Sequence, residues 1–144
     1  MRTFVFGLFI FFGLSFPAIA SAVTLTGSGT LTAPGRNNHN YTFVNIDASQ
    51  FVAGGTISVS ITLGNGASRG SYDLYRASYT PVATGRPQNS LANAYDVVPN
   101  SVRNISYSFG PGLSNQFKLG LEGNWFSPAG STNSYTYKIE ILPP

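Results

Sequence analysis

Few residues in this chain are equipped for bond-making chemistry, and their spacing narrows the options further. Gly66-Ala67-Ser68-Arg69-Gly70 matches the G-x-S-x-G pattern of a serine nucleophile. That pattern works on a strand, a sharp turn and then a helix. Here alternating, strand-like sequence lies on both sides, so the segment reads as a glycine-rich hairpin loop. The single histidine, His39, precedes Ser68, against the hydrolase order, and sits in an Asn-rich turn. One histidine cannot build a zinc site, which wants three or four His, Cys or acidic ligands, so no metal and no cofactor are expected. The absence of cysteine removes disulfides and thiolate chemistry. The acids are Asp47, Asp73, Asp96, Glu122 and Glu140. A glycosidase needs two carboxyls roughly 5–10 Å apart. Asp73 and Glu140, however, fall on the expected wet faces of strands, where a solvated acid is the ordinary state. The expectation is a non-catalytic protein.

Binding is better served. Glu122-Gly123-Asn124-Trp125-Phe126 leads into a loop running to Asn133. A tryptophan beside Asn and Glu is suited to stacking on a sugar ring while the polar groups bond its hydroxyls. The alternative, and the preferred one from sequence, is that Trp125 and Phe126 cap one end of the hydrophobic core. Tyr75, Tyr79 and Tyr95 would add an aromatic surface around an irregular stretch, or simply serve as strand-edge residues.

These residues are positioned by short strands. Thr56 to Leu63 alternates strictly, with Ile57, Val59, Ile61 and Leu63 on one side and Thr56, Ser58, Ser60 and Thr62 on the other. Similar alternation recurs around Tyr41-Phe43, Tyr72-Leu74, Ile105-Phe109, Phe117-Leu121 and Tyr135-Ile141, and more weakly from Val23 to Thr32, where Gly27 and Gly29 interrupt it. Turn clusters separate them: Pro34 to Asn38, Gly64-Asn65-Gly66, Gly110-Pro111-Gly112 and Ser127 to Gly130. From Ala77 to Arg103, prolines allow at most two short strands, around Tyr79 and Tyr95. Seven to eight strands so punctuated predict an all-β, antiparallel β-sandwich of the jelly-roll or immunoglobulin-like kind.

The chain opens on Met1-Arg2, an uncharged apolar run from Phe4 to Phe16, and small residues at Ala18, Ala20 and Ala22. This is the pattern of a cleavable signal peptide, cut after Ala20 or Ala22. The run is too short for a membrane-spanning helix, which needs about 20 residues. The expected organisation is a signal peptide over 1–22 and one β-sandwich domain over 23–144, secreted or periplasmic, with no membrane span after cleavage. Beyond the leader, seven basic residues face five acidic ones and are scattered singly, which argues against a nucleic-acid partner.

Tyr41-Thr42-Phe43 with Gly55 to Val59, the Gly70-Ser71-Tyr72-Asp73-Leu74-Tyr75 strand, and the closing pair Phe117 to Gly123 and Tyr135 to Ile141 resemble the bacterial pre-peptidase C-terminal domain and related secreted β-sandwiches. The resemblance covers residues 40–142. It implies a β-sandwich that accompanies enzymes or surface proteins and does no chemistry itself. The acidic clusters that calcium-binding relatives use are missing. Two functions from different classes follow. One is a secreted binding or adhesion module for polysaccharide or other cell-surface components. The other is a structural subunit of a surface filament, surface layer or biofilm matrix, self-associating through strand edges.

Overall fold

The structure, a computed structural model, describes residues 20–144. The signal-peptide reading falls almost wholly outside them. The described chain contains eight strands and no helix: β1 (Val23–Thr32), β2 (Thr42–Asp47), β3 (Gly55–Leu63), β4 (Gly70–Arg76), β5 (Ala92–Val97), β6 (Val102–Phe109), β7 (Gln116–Gly123) and β8 (Thr132–Leu142). They form two antiparallel four-stranded sheets, ordered β1-β8-β3-β6 and β2-β7-β4-β5. The pairings are nested, β1 with β8, β2 with β7, β3 with β6 and β4 with β5. One long hairpin has thus been rolled into two layers, which is the jelly-roll form of the sandwich.

The period-two pattern dictates what lies between the layers. Ile57, Val59, Ile61 and Leu63 of β3 are all buried, facing Leu74, Phe117, Leu119 and Leu121 of the opposite sheet. Burying the four β3 side chains contributes roughly 6–12 kcal/mol before entropy is charged. β1 is longer and more regular than its glycines suggest. Gly27 and Gly29 lie on its inner face, directly opposite Tyr137 and Tyr135 of β8. The two tyrosine rings lie over the glycines and occupy the space a Cβ would need. Large residues on one strand fill what small residues on its neighbour leave open.

Two expectations change. There is no strand at Tyr79, whose N–H instead closes a turn onto the Arg76 carbonyl. Only the Tyr95 segment pairs, as β5. Asp73 is also not a solvated acid, since it is fully buried. Asp73 is covered by Tyr41 and Tyr95, whose hydroxyls bond its carboxylate, and the 77–91 connection lies on the same side of the sheet. This connection leaves the end of β4 where the Ala77 N–H bonds the Gln116 carbonyl, at the start of β7. It then reaches residues 37–39, beside the other end of β7. Its path therefore runs back along the outer face of the second sheet, where Tyr79 packs on Tyr75. Glu140 does lie where expected, part-exposed and paired with Lys138.

Candidate functional site

The outer face of the second sheet presents Tyr41 and Phe43 beside β2, Ser71, Asp73 and Tyr75 on β4, Tyr95 on β5, and Gly120 and Glu122 on β7. Its polar groups are tightly partnered. Asp73 accepts hydrogen bonds from the hydroxyls of Tyr95 and, at 2.9 Å, Tyr41. With its proton committed to Asp73, Tyr41 accepts from Tyr75 at 3.2 Å. Burial raises the Asp73 carboxyl above the usual carboxylate range, against the opposing pull of the Tyr95, Ser90 and Tyr41 hydroxyls.

One end of this face carries a cleft of about 530 Å³. Three connections enclose it. The first two, residues 36–39 and 83–87, are tied into a short antiparallel ladder. Asn38 bridges Thr84, the His39 N–H donates to the Ala83 carbonyl at 3.0 Å, and the Gly85 N–H donates to the Asn37 carbonyl at 3.0 Å. The ladder's tight entry puts Asn37 at φ 65°, a left-handed conformation that asparagine tolerates better than most residues. The third connection is the turn after β7. The Asn124 side chain donates to Ser71 Oγ and accepts from the Phe126 N–H, at 3.0 and 2.8 Å, and Ser127 Oγ accepts from the Arg69 N–H. This turn holds Trp125 and Phe126 at the cleft's edge.

His39 joins all three connections. Its Nδ1 lies 2.7 Å from Glu122 Oε1 and its Nε2 lies 2.8 Å from the Gly85 carbonyl. The ring stacks on Tyr41 and packs against Trp125, each at 5.0 Å between centroids. Both partners are buried, His39 at 3% and Glu122 at 1% side-chain exposure. A carbonyl can only accept, so Nε2 carries a hydrogen. One more proton must lie between Nδ1 and Oε1, and whichever atom holds it, the pair as a whole is neutral. Glu122 Oε2 accepts from the Asn40 N–H at 2.7 Å. Burial raises the Glu122 carboxyl, and the bonds from Asn40 and His39 partly offset it.

The cleft is lined by Arg36, Asn37, His39, Ser71, Gly85, Arg86, Pro87, Tyr95, Glu122, Asn124, Trp125 and Phe126. All four residues singled out from sequence, Glu122, Asn124, Trp125 and Phe126, are therefore brought to one place. Their roles differ from expectation. Trp125 and Phe126 do not cap the core: neither belongs to it, and Phe126 is 76% exposed. Glu122 and Asn124 are satisfied by protein partners and shape the floor. Of the three tyrosines, Tyr75 is buried under Tyr79, and Tyr95, 44% exposed, lines the cleft. His39, Arg36 and Arg86 were missed as cleft residues. Their one sequence signal is that both arginines sit within Gly/Pro turns, Pro34-Gly35-Arg36 and Gly85-Arg86-Pro87. Nothing in the sequence brings those turns together.

Ser68 of the G-x-S-x-G segment is fully buried and donates its hydroxyl hydrogen to the Arg69 carbonyl at 2.8 Å. The ring nitrogens of His39 are engaged elsewhere. Asp73 and Glu122 stand on neighbouring strands, yet all four of their oxygens are engaged in hydrogen bonds within the protein. Among the described residues, no three His or acidic side chains are grouped to hold a metal, and no helix is long and apolar enough to cross a membrane.

No family model matches the chain, and no curated protein does. Among solved structures it is similar to a chain from the disulfide-linked pili of Bacillus endospore appendages, at 15% identity over 92% of this chain and 99% of that one, with a TM-score of 0.42. It is also similar to the Tobacco streak virus coat protein, at 14% identity over 92% and 90% of the two chains, with a TM-score of 0.36. At those values neither likeness bears on function.

Proposed function

We propose that the protein is an exported, non-catalytic glycan-binding module whose binding site is the cleft between Trp125 and the 36–39/83–87 ladder. The observation that carries this is the pairing of exposed aromatic surface with fixed hydrogen-bonding groups in one concavity. Trp125, Phe126 and Tyr95 offer ring faces, and Arg36, Asn37 and Arg86 offer donors at the rim. The volume lies within the range of about 300–1,000 Å³ typical of ligand sites. The floor is rigid because its carboxylates and amides are already hydrogen-bonded, so binding orders little further. Trp125→Ala is expected to weaken retention in polysaccharide affinity gels about tenfold, equivalent to roughly 1.4 kcal/mol. Trp125 also packs on His39, so Phe126→Ala serves as the companion variant, with weakened retention and an unchanged melting curve. Unchanged retention in both variants, across neutral and acidic polysaccharides, would sink the assignment.

A second reading, self-association into a surface structure, is favoured by β1. This edge strand pairs with β8 along all ten residues, and its sequence VTLTGSGTLT has no charge, no proline and no bulge to discourage a further partner. The other edges are better guarded: β2 is short and ends in Asp47, β5 carries Asp96 and a register shift, and β6 carries Arg103. Disulfide linkage is closed to a chain without cysteine. Sedimentation at high concentration is expected to show assemblies that Ser28→Lys disperses. A wild-type chain that stays monomeric at every concentration removes this reading.

A further inference from the structure

Building on the cleft's assignment as a glycan site, we infer that its ligand is an anionic polysaccharide whose carboxylate groups are gripped between Arg36 and Arg86. Two observations carry this. The first is placement. The antiparallel bridge pairs Asn38 with Thr84, and the next hydrogen bond joins Asn37 and Gly85. Arg36 and Arg86 each lie one residue beyond that last bond, Arg36 within the turn that the Asn38 N–H closes onto the Gly35 carbonyl. Two guanidinium groups lining one cleft repel each other, and an anion between them converts the repulsion into attraction.

The second is the fate of the other cations. Arg69 is paired with Asp96 and Lys138 with Glu140, while Arg76 lies over the Phe117 ring and Lys118 over the Phe43 ring. Arg36, Arg86 and Arg103 make no ion pair among the described residues, and Arg103 lies on β6 of the other sheet. Arg36 and Arg86 are both exposed, and both line the same cleft. The acid in that cleft, Glu122, does not cancel them, because with His39 it forms a neutral unit. Asp73 lies beneath Tyr95 and does not line the cleft. The cleft therefore carries two uncompensated guanidinium groups beside a tryptophan. The planar guanidinium fork matches a carboxylate bidentately, while Trp125 supplies a surface for the sugar ring that bears it.

The test uses the signal-free chain, residues 23–144, after its melting curve confirms that it folds. The probes are polygalacturonate, the same polymer fully methyl-esterified, dextran sulfate and neutral dextran. The expected result is retention by polygalacturonate that falls at least about tenfold on esterification, and by a similar factor in the Arg36→Ala/Arg86→Ala double variant. The double lysine variant, which keeps the charge and loses the fork, is expected to recover only a small part of it. Both arginines are exposed, so all these variants should melt like the wild type.

Equal retention of the esterified and free polymers, or retention by neutral dextran alone, overturns the anionic ligand and leaves the glycan site standing. Full retention by the lysine variant, or dextran sulfate retention that the alanine variant leaves intact, shows charge without carboxylate recognition and also overturns it. Retention on none of the four overturns both the ligand class and the site.

Discussion

Replacing His39 with alanine is expected to cost about 3–5 kcal/mol of folding stability, the range for breaking a buried charge-bearing pair by removing one partner. The side chain is 3% exposed and satisfies both Glu122 and the Gly85 carbonyl. Its loss leaves Glu122 Oε1 without its partner in a site 1% exposed. It also removes the side-chain link between the Gly85 carbonyl and Glu122 of β7, and the ring on which Trp125 rests. The cost should depend on pH in a defined sense. Burial already raises the Glu122 carboxyl above the usual carboxylate range, and the His39 hydrogen bond is among the effects opposing that rise. Without His39 the carboxyl rises further. A carboxyl raised in the folded state binds protons there that the unfolded chain releases. Its favourable contribution is therefore complete below the unfolded value and drains away as pH climbs toward the folded one. Chemical denaturation of His39→Ala and wild type across the acid-to-neutral range should show a deficit smallest below pH 4.5 and largest at neutrality. A deficit independent of pH would mean that Glu122 does not feel the histidine.

Asn133→Ala is expected to destabilise by about 2–4 kcal/mol, from leaving several backbone groups without their only side-chain partner. The Asn133 amide nitrogen reaches the Gly64, Gly66 and Ser68 carbonyls at 3.1, 3.2 and 2.9 Å, and its oxygen accepts from the Gly66 N–H at 2.9 Å. It is 2% exposed, so water does not readily replace it. The β3–β4 loop is thereby wrapped around one side chain from the start of β8. Added side chains at Gly64 and Gly66 would collide with Ser134, Thr132 and Asn133, so the loop must lie flat on β8. Asn133→Asp should be at least as damaging at neutral pH, because it sets a carboxylate oxygen against three carbonyls. Thermal melts of the two variants decide the matter. An alanine variant that melts within about a degree of wild type would show that the loop holds itself.

These two residues mark the limit of what could be read from the linear chain. His39 looked like part of a turn, and Asn133 like the tail of a loop. Each acquires its role from groups far away in sequence, Glu122 for His39 and the 64–68 backbone for Asn133. The same holds for Arg36 and Arg86, fifty residues apart and brought to one cleft only because two turns pair. Trp125 and Phe126, by contrast, could be flagged in advance, because adjacent aromatics beside Asn and Glu in a turn are unusual in their own right. Their exposure was still misjudged, since whether an end of the sandwich is open or closed depends on which connections fold over it.

The amino-acid order by itself determined the strands and the layers. Period-two alternation is a local property: once Ile57, Val59, Ile61 and Leu63 share a side, water drives that side against another like it, and turn residues set where each ribbon reverses. It determined as well that thiolate chemistry was closed to the chain and that charge was sparse. Only the tertiary structure decided that the 77–91 connection would fold back to pair with residues 37–39, raising the cleft's walls, and that His39, Tyr41 and Tyr95 would bury Glu122 and Asp73. The connection's prolines and lone hydrogen-bonding groups carry no periodicity. Where such a segment lies depends on partners supplied by other parts of the chain, and those exist only after the sheets have formed.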